Sequence, residues 1–356
     1  MEALKRRKYT ITVAFATVVT TLLFAMIPFC NSAKANTVNN ASIGYSVSKI
    51  PSKQEINSRN SFYDLKVKPD HSYTISARIF NATKKKVVVS SDIFTTYTND
   101  NGQIEYTNEA KSYDKSLKNK VNDFVHVYEK DKRASIPAHG SRVVHAVVRA
   151  PKSANGVMLG SWYFSKNSGS DKKAKGISIN NRYAYAIAIK MTSTQQPHQL
   201  PNLHLLKVKA GLNNYRKVVY SVIQNDKPTI IKGLSMKSTI LSESGQKMLS
   251  GHQSNIEMAP NSTFNYSTFA NDQQLPAGKY TMLLTATWQS RTWNWRRNFT
   301  ITDAEANQLS NKAKNDAKPP VSIWWYVAGG VIILILLVLL VWGTTYIVLK
   351  RREKKE

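Results

Sequence analysis

The chain carries one cysteine, Cys30, in 356 residues. A single thiol cannot close a disulfide within the chain or build a thiolate metal site, so any folded region must be held by an ordinary apolar core. Pro28 and Phe29 precede Cys30, where a lipid-modified cysteine would want small residues. Acids are scarce too: 22 Asp and Glu stand against 50 Lys and Arg, a formal charge of +28. Signatures of catalysis are absent. No pair of its seven histidines brackets an acid at helical i, i+4 spacing, and there is no Gly-x-Ser-x-Gly elbow, phosphate-cradling glycine loop or acidic calcium loop. Scattered carboxylates such as Asp92, Asp123, Glu129 and Glu257 follow no pattern that would make an acid/base pair. The expectation is a protein that is not an enzyme and needs no cofactor or metal.

Long apolar runs are confined to the two ends. Trp324 to Leu349 contains 26 residues without a charge, followed by Lys350, Arg351 and Arg352. As a helix this run extends about 39 Å, enough for a hydrocarbon layer of about 30 Å. Trp324, Trp325 and Tyr326 at one boundary and Trp342 near the other fit aromatic belts, and the basic end predicts a cytoplasmic C-terminus with everything before the span outside. At the other end, Lys5 to Lys8 are all basic, Tyr9 to Phe29 is largely apolar, and Ala33-Lys34-Ala35 has the small-x-small form of a cleavage site. These features predict a secretory signal peptide over residues 1–35. The alternative, an uncleaved second span, is opposed by five threonines in the run and by Pro28.

Between the two ends the chain is predicted to be all-β. Short runs of β-branched and aromatic residues recur between turn residues, at the spacing of a β-sandwich. Alternation is clearest where Tyr73, Ile75, Ala77 and Ile79 fall on one strand face and Thr74, Ser76 and Arg78 on the other. Lys111 to Lys130 departs from this pattern and is expected to be a short helix on one edge or an insertion. Thr192 to Pro201, with two prolines and no apolar period, separates two series of strands. The predicted plan is a first immunoglobulin-like sandwich over 36–195, a linker at 196–201, a second sandwich over 202–303, a stalk at 304–322 capped by Asp303, a transmembrane helix over 323–349 and a tail at 350–356. Between 36 and 349 there remain 40 basic and 19 acidic residues. Outside a cell such a surface would meet anionic wall polymers, acidic lipids or an acidic protein rather than nucleic acid.

Aromatic clusters are the remaining candidates for binding. In the last predicted hairpin Trp293 and Trp295 share a strand face, Trp288 ends the partner strand, and Arg291, Arg296 and Arg297 interleave with them. Aromatic residues and arginine are typical interface anchors, although a sandwich also buries tryptophan in its core. Trp162 and Tyr163 lie in Gly156 to Phe164, where glycines permit close backbone approach, and packing and binding are equally open for them.

The chain resembles the WxL-interacting protein family. In the first half the resemblance rests on Tyr63-Asp64-Leu65-Lys66-Val67-Lys68-Pro69, Asn81, Ala150-Pro151 and Gly156 to Phe164. In the second it rests on Pro201-Asn202-Leu203, Asn225 with Pro228, Met258 to Ser262, Ala277 to Tyr280 and Trp293 to Thr302. The resemblance implies a Gram-positive cell-surface protein with a peptidoglycan-binding domain, a host-binding domain and a membrane anchor. It also implies a role in holding WxL-domain proteins at the wall, with host matrix protein as a further partner. Two other functions are weighed: an adhesin for host matrix acting through the second domain, and a wall-modifying enzyme.

Overall fold

The computed structural model describes residues 44–166, 183–271, 274–313 and 323–353. The expected signal peptide lies outside these residues, as does most of the basic segment that follows Lys166. The described chain is mostly β, with two sandwiches followed by two helices.

The first sandwich uses nine strands in two sheets. β1 (Tyr45–Ile50), β3 (Ser72–Asn81), β9 (Ser141–Arg149) and β7 (Val125–Val127) form one sheet in the order β1-β3-β9-β7. β2 (Tyr63–Val67), β11 (Ala184–Ser193), β10 (Val157–Lys166), β4 (Val87–Thr95) and β8 (Arg133–Ile136) form the other, in the order β2-β11-β10-β4-β8. β2 runs parallel to β11, and the other pairings are antiparallel. β5 (Tyr97–Thr98) and β6 (Ile104–Glu105) make a small separate hairpin. Burial follows the alternation expected of β3: Ile75, Ala77 and Ile79 are fully covered, while Thr74 and Arg78 are exposed. Lys111 to Lys130 resolves into one helical turn, α1 (Val121–Phe124), leading into β7, which pairs with the edge of β9. Val121, Phe124, Val125 and Val127 of that stretch are buried, whereas Leu117 is half-buried and Tyr128 is exposed.

The second sandwich has seven strands. β12 (Leu203–Asn213), β13 (Arg216–Asn225) and β16 (Ser262–Phe269) form a three-stranded sheet. It faces β15 (Lys247–Met258), β14 (Ile231–Ser242), β17 (Gly278–Trp288) and β18 (Arg291–Ile301), in the order β15-β14-β17-β18. Ile223, Ile231, Met236, Ile256, Met258, Tyr266 and Met282 are among the residues that fill its core.

A buried asparagine ends a strand in each sandwich. Asn81 Nδ2 donates to the carbonyls of Lys85 and Pro137, both at 2.8 Å, and its Oδ1 accepts from the Thr83 backbone at 2.9 Å. Asn225 Nδ2 donates to the Thr229 carbonyl at 2.9 Å and the Ala259 carbonyl at 3.2 Å. In both places one amide replaces water for carbonyls that a turn would otherwise leave unpaired in the interior.

The helix after β18 is α2 (Asp303–Lys312), and its cap corrects the sequence expectation. Thr302, not Asp303, is the N-cap: its hydroxyl accepts from the Glu305 backbone at 3.2 Å, and the Glu305 carboxylate takes the Thr302 N–H at 2.9 Å. This is a complete capping box. The bonds from Thr302 hold the Glu305 carboxyl below its usual pKa. The last element is α3 (Ile323–Glu353), within which Gly329–Ile347 is long and apolar enough to cross a membrane.

Candidate binding surfaces

The clearest local construction lies where the two sandwiches meet. The β5–β6 turn reaches across to the second sandwich: the Asp100 carboxylate accepts from Asn265 through its backbone N–H at 3.1 Å and its amide at 3.0 Å. Gln253 Nε2 donates to the Asn101 carbonyl at 2.8 Å, and the Glu257 N–H to the Gly102 carbonyl at 2.8 Å. Thr98 and Ser262 share a buried hydroxyl contact of 2.6 Å. Nearby, Gln224 Nε2 donates to both oxygens of Asp114, at 2.9 and 3.0 Å. Ile104, Leu159 and Ala259 form a small apolar core at this junction, with Tyr106 and Ile230 against it.

Glycine is required here for steric reasons. Gly156 has φ +53°, and a Cβ at that position would sit 2.6 Å from both Cγ and O of Pro228. The Val157 N–H donates to the same Pro228 carbonyl at 2.7 Å. Several stretches that carry the family resemblance therefore meet at this seam: Gly156 to Leu159 from one side, Asn225 with Pro228 and Met258 to Ser262 from the other.

The candidate residues of the sequence reading fall in different places. Trp162 is fully buried; its ring lies 5.1 Å from Phe164 and 6.4 Å from Tyr63, centroid to centroid. A ring with no exposed face offers nothing to a ligand, so of the two readings open for Trp162 the geometry supports packing. Tyr163 points to the other side of β10, is half-buried and packs at 5.2 Å against Phe94.

In the final hairpin the register pairs Trp288 with Arg291, Ala286 with Trp293 and Leu284 with Trp295. Ala286 and Leu284 point into the core, so Trp293 and Trp295 point inward as well; they remain only partly covered because β18 is an edge strand. Arg296 lies on the opposite face and is exposed, and Arg291 is exposed at the turn. Arg297, the third interleaving arginine, sits on the inward face and donates to the Leu205 carbonyl at 3.0 Å, tying β18 to β12 across the sandwich. Its odd-numbered position, shared with Trp293 and Trp295, is what turns it inward. Trp288 is half-buried, and its indole N–H donates to the Lys232 carbonyl at 3.0 Å. The hairpin thus separates the candidates: Trp288, Arg291 and Arg296 offer surface, while Trp293 and Trp295 mainly cover the core.

Of the predicted anchor residues, Trp324, Trp325, Tyr326, Arg351 and Arg352 lie on the α3 backbone, with side chains outside the described part. Trp342 is exposed and stacks at 6.2 Å on Tyr346, over whose ring the Lys350 ammonium lies at 5.8 Å. The i, i+4, i+8 spacing puts these three on one face near the basic end. Among the described residues no group of three His, Cys, Asp or Glu is placed to hold a metal ion.

Solved structures similar to the chain include the E. coli chaperone DraB, at 14% identity, covering 72% of this chain and 96% of that one with a TM-score of 0.27. Another is the Pseudomonas aeruginosa CupB2 chaperone, at 12% identity, covering 66% and 97% with a TM-score of 0.24. Likenesses this slight carry no functional argument. No curated protein sequence matches the chain. Family models do match: WxL Interacting Protein, peptidoglycan binding domain, over residues 45–166, and WxL Interacting Protein, host binding domain, over residues 174–311. The second match begins upstream of β11, a strand that pairs with β10 and β2 of the first sandwich. Two binding modules in succession, covering most of the chain, support a binding role at a cell surface. The chain belongs to the WxL Interacting Protein family.

Proposed function

We propose that this protein is a membrane-anchored scaffold of the Gram-positive surface, which grips peptidoglycan and docks WxL-domain proteins beside it. The observation that carries the reading is the junction: a module matched to peptidoglycan binding and a module matched to host binding are tied by buried hydrogen bonds and a shared apolar core. After them comes α3, on which most of the large apolar side chains from Val331 to Ile347 are exposed. Exposed leucines and isoleucines over that length are costly in water and favourable in lipid, which supports anchoring. The basic residues after the span support a cytoplasmic C-terminus.

Two measurements test this. Full-length protein in mild detergent is sedimented with purified peptidoglycan sacculi at physiological salt; retention is expected, and none would remove wall binding. Crosslinking on intact cells, followed by identification of the captured proteins, is expected to return WxL-domain proteins, and their consistent absence would remove docking. A second reading, adhesion to host matrix protein, is favoured by the host-binding match and by the exposed Arg291 and Arg296. It predicts that immobilised matrix protein retains the chain and that Arg296→Ala weakens the retention.

A further inference from the structure

Beside the junction lies a groove of about 450 Å³, walled by both sandwiches. Phe62 and Tyr106 enter it from the first, and Trp288 from the second, with Ile230 between them. Each of the three rings is half-buried, so each has a face available. Lys190 and Lys232 also line the groove, and among the described residues no carboxylate does. Lys190 is held 3.0 Å from the nearly buried Asp64, which offsets its charge; Lys232 is exposed and has no acidic partner among the described residues. The groove therefore carries net positive charge beside flat apolar rings. It is preformed, because Trp288 is fixed through Lys232 and the walls are held by the junction.

The side chains lining the groove narrow the choice of occupant. Lys190 is on β11, between β2 and β10; Lys232 is on β14, between β15 and β17; Trp288 is on β17, between β14 and β18. At Lys190 β11 is paired on both sides, whereas Phe62 and Tyr106 adjoin the edge strands β2 and β6 and Lys232 lies where β14 breaks register with β15. The lining itself offers side chains, rings for stacking and a point charge at Lys232. The apolar face of a sugar ring suits the first, and a carboxylate suits the second. The volume is within the ~300–1,000 Å³ usual for small-ligand sites.

We propose that this groove binds a carboxylate-bearing wall glycan fragment, a muropeptide, and that wall recognition is shared between the two sandwiches through Trp288 and Lys232. The inference rests on the peptidoglycan reading above but assigns it a site that includes the second module.

The test titrates full-length protein in mild detergent with soluble muropeptides, and in parallel with a neutral chito-oligosaccharide. Trp288→Ala and Lys232→Glu are each expected to weaken muropeptide binding about tenfold, as for anchors at the centre of a contact. Lys232→Glu is expected to leave the neutral sugar unaffected, and Arg296→Ala, on the outer face of β18, to change neither. Because Trp288 also packs on the second core, the exposed Lys232→Glu serves as the variant that should not disturb folding. Parental muropeptide affinity in both groove variants would overturn the site while leaving wall binding in place. Loss of sacculus binding by the unmodified chain would instead remove the peptidoglycan reading itself. Binding of an acidic tryptophan-containing peptide that Lys232→Glu abolishes, with no muropeptide binding, would make the groove a protein-docking site and overturn the proposal.

Discussion

Gly156→Ala is the sharpest perturbation of the junction. The residue has φ +53°, a region that costs an L-residue with a Cβ about 1 to 2 kcal/mol. The added carbon would lie 2.6 Å from the Pro228 Cγ and from the Pro228 carbonyl oxygen, so neighbouring groups must move. The ring could shift, but the carbonyl is held by the 2.7 Å bond from the Val157 N–H. Overpacking of this kind costs a further ~1 to 3 kcal/mol, giving about 2 to 5 in total. Gly233→Ala is the control: φ is +75° and a Cβ would meet nothing within 4 Å, so only the backbone cost, about 1 to 2 kcal/mol, applies. The assay is urea unfolding of the full chain in non-denaturing detergent, followed by tryptophan fluorescence. Gly156→Ala should lower the midpoint clearly more than Gly233→Ala and split one transition into two, because the sandwiches are then less firmly coupled. Equal losses in the two variants, with a single transition in both, would refute the steric account of the junction.

Asn81→Ala should cost about 2 to 4 kcal/mol, since it leaves several buried carbonyls without a donor, and Asn225→Ala somewhat less, because its bonds are fewer and longer; thermal unfolding of the two variants checks the order. Burial pushes the Tyr45 and Tyr106 phenols up to about 12, and neighbouring Tyr185 and Glu257, respectively, add to this. A folded pKa above the unfolded value of about 10 gives stability that is complete below pH ~10 and is lost as pH rises towards 12. Phenolate absorbance should therefore appear late, together with unfolding, and a normal titration near pH 10 without unfolding would contradict the burial. Thr302→Ala removes the N-cap of α2 and should destabilise that helix by about 1 kcal/mol, seen as faster amide exchange over 303–307 with the sandwiches unchanged.

Much of the β architecture was legible because a half-buried strand writes its faces in alternate residues, as Tyr73 to Ile79 do. The run Val157 to Phe164 broke that alternation, and the structure gives the reason. β10 is covered on both sides: Trp162 and Phe164 face the sandwich core, while Leu159 enters the junction and Ser161 donates to the Tyr106 carbonyl at 2.5 Å. A continuous apolar run is what a strand buried on both faces requires. Trp162 was selected for its residue type, and the same lack of polar alternation around it pointed to packing. β5, β6 and β7, each two or three residues long, were too short to show any period. The cap at Thr302 was missed because Asp303 is an equally good cap by type, and the position of Glu305 three residues after Thr302 decides between them.

The junction itself was not legible, because its contacts join residues more than a hundred positions apart: Thr98 to Ser262, Asp100 to Asn265, Asp114 to Gln224. No local pattern encodes such pairs. In sequence Asp100 and Gly102 look like ordinary turn residues, and only the opposing sandwich turns that turn into a clasp. The clasp has a functional consequence. A flexible linker would oblige each binding event to immobilise one module relative to the other, at a cost in affinity; two modules already locked together avoid it. The groove beside the clasp benefits in the same way, since Phe62, Tyr106 and Trp288 are held around it before any ligand arrives. Loosening the junction with Gly156→Ala should therefore weaken muropeptide binding although Gly156 does not line the groove. If Gly156→Ala bound muropeptide with parental affinity while unfolding in two steps, preorganisation by the junction would be excluded as a source of the groove's affinity.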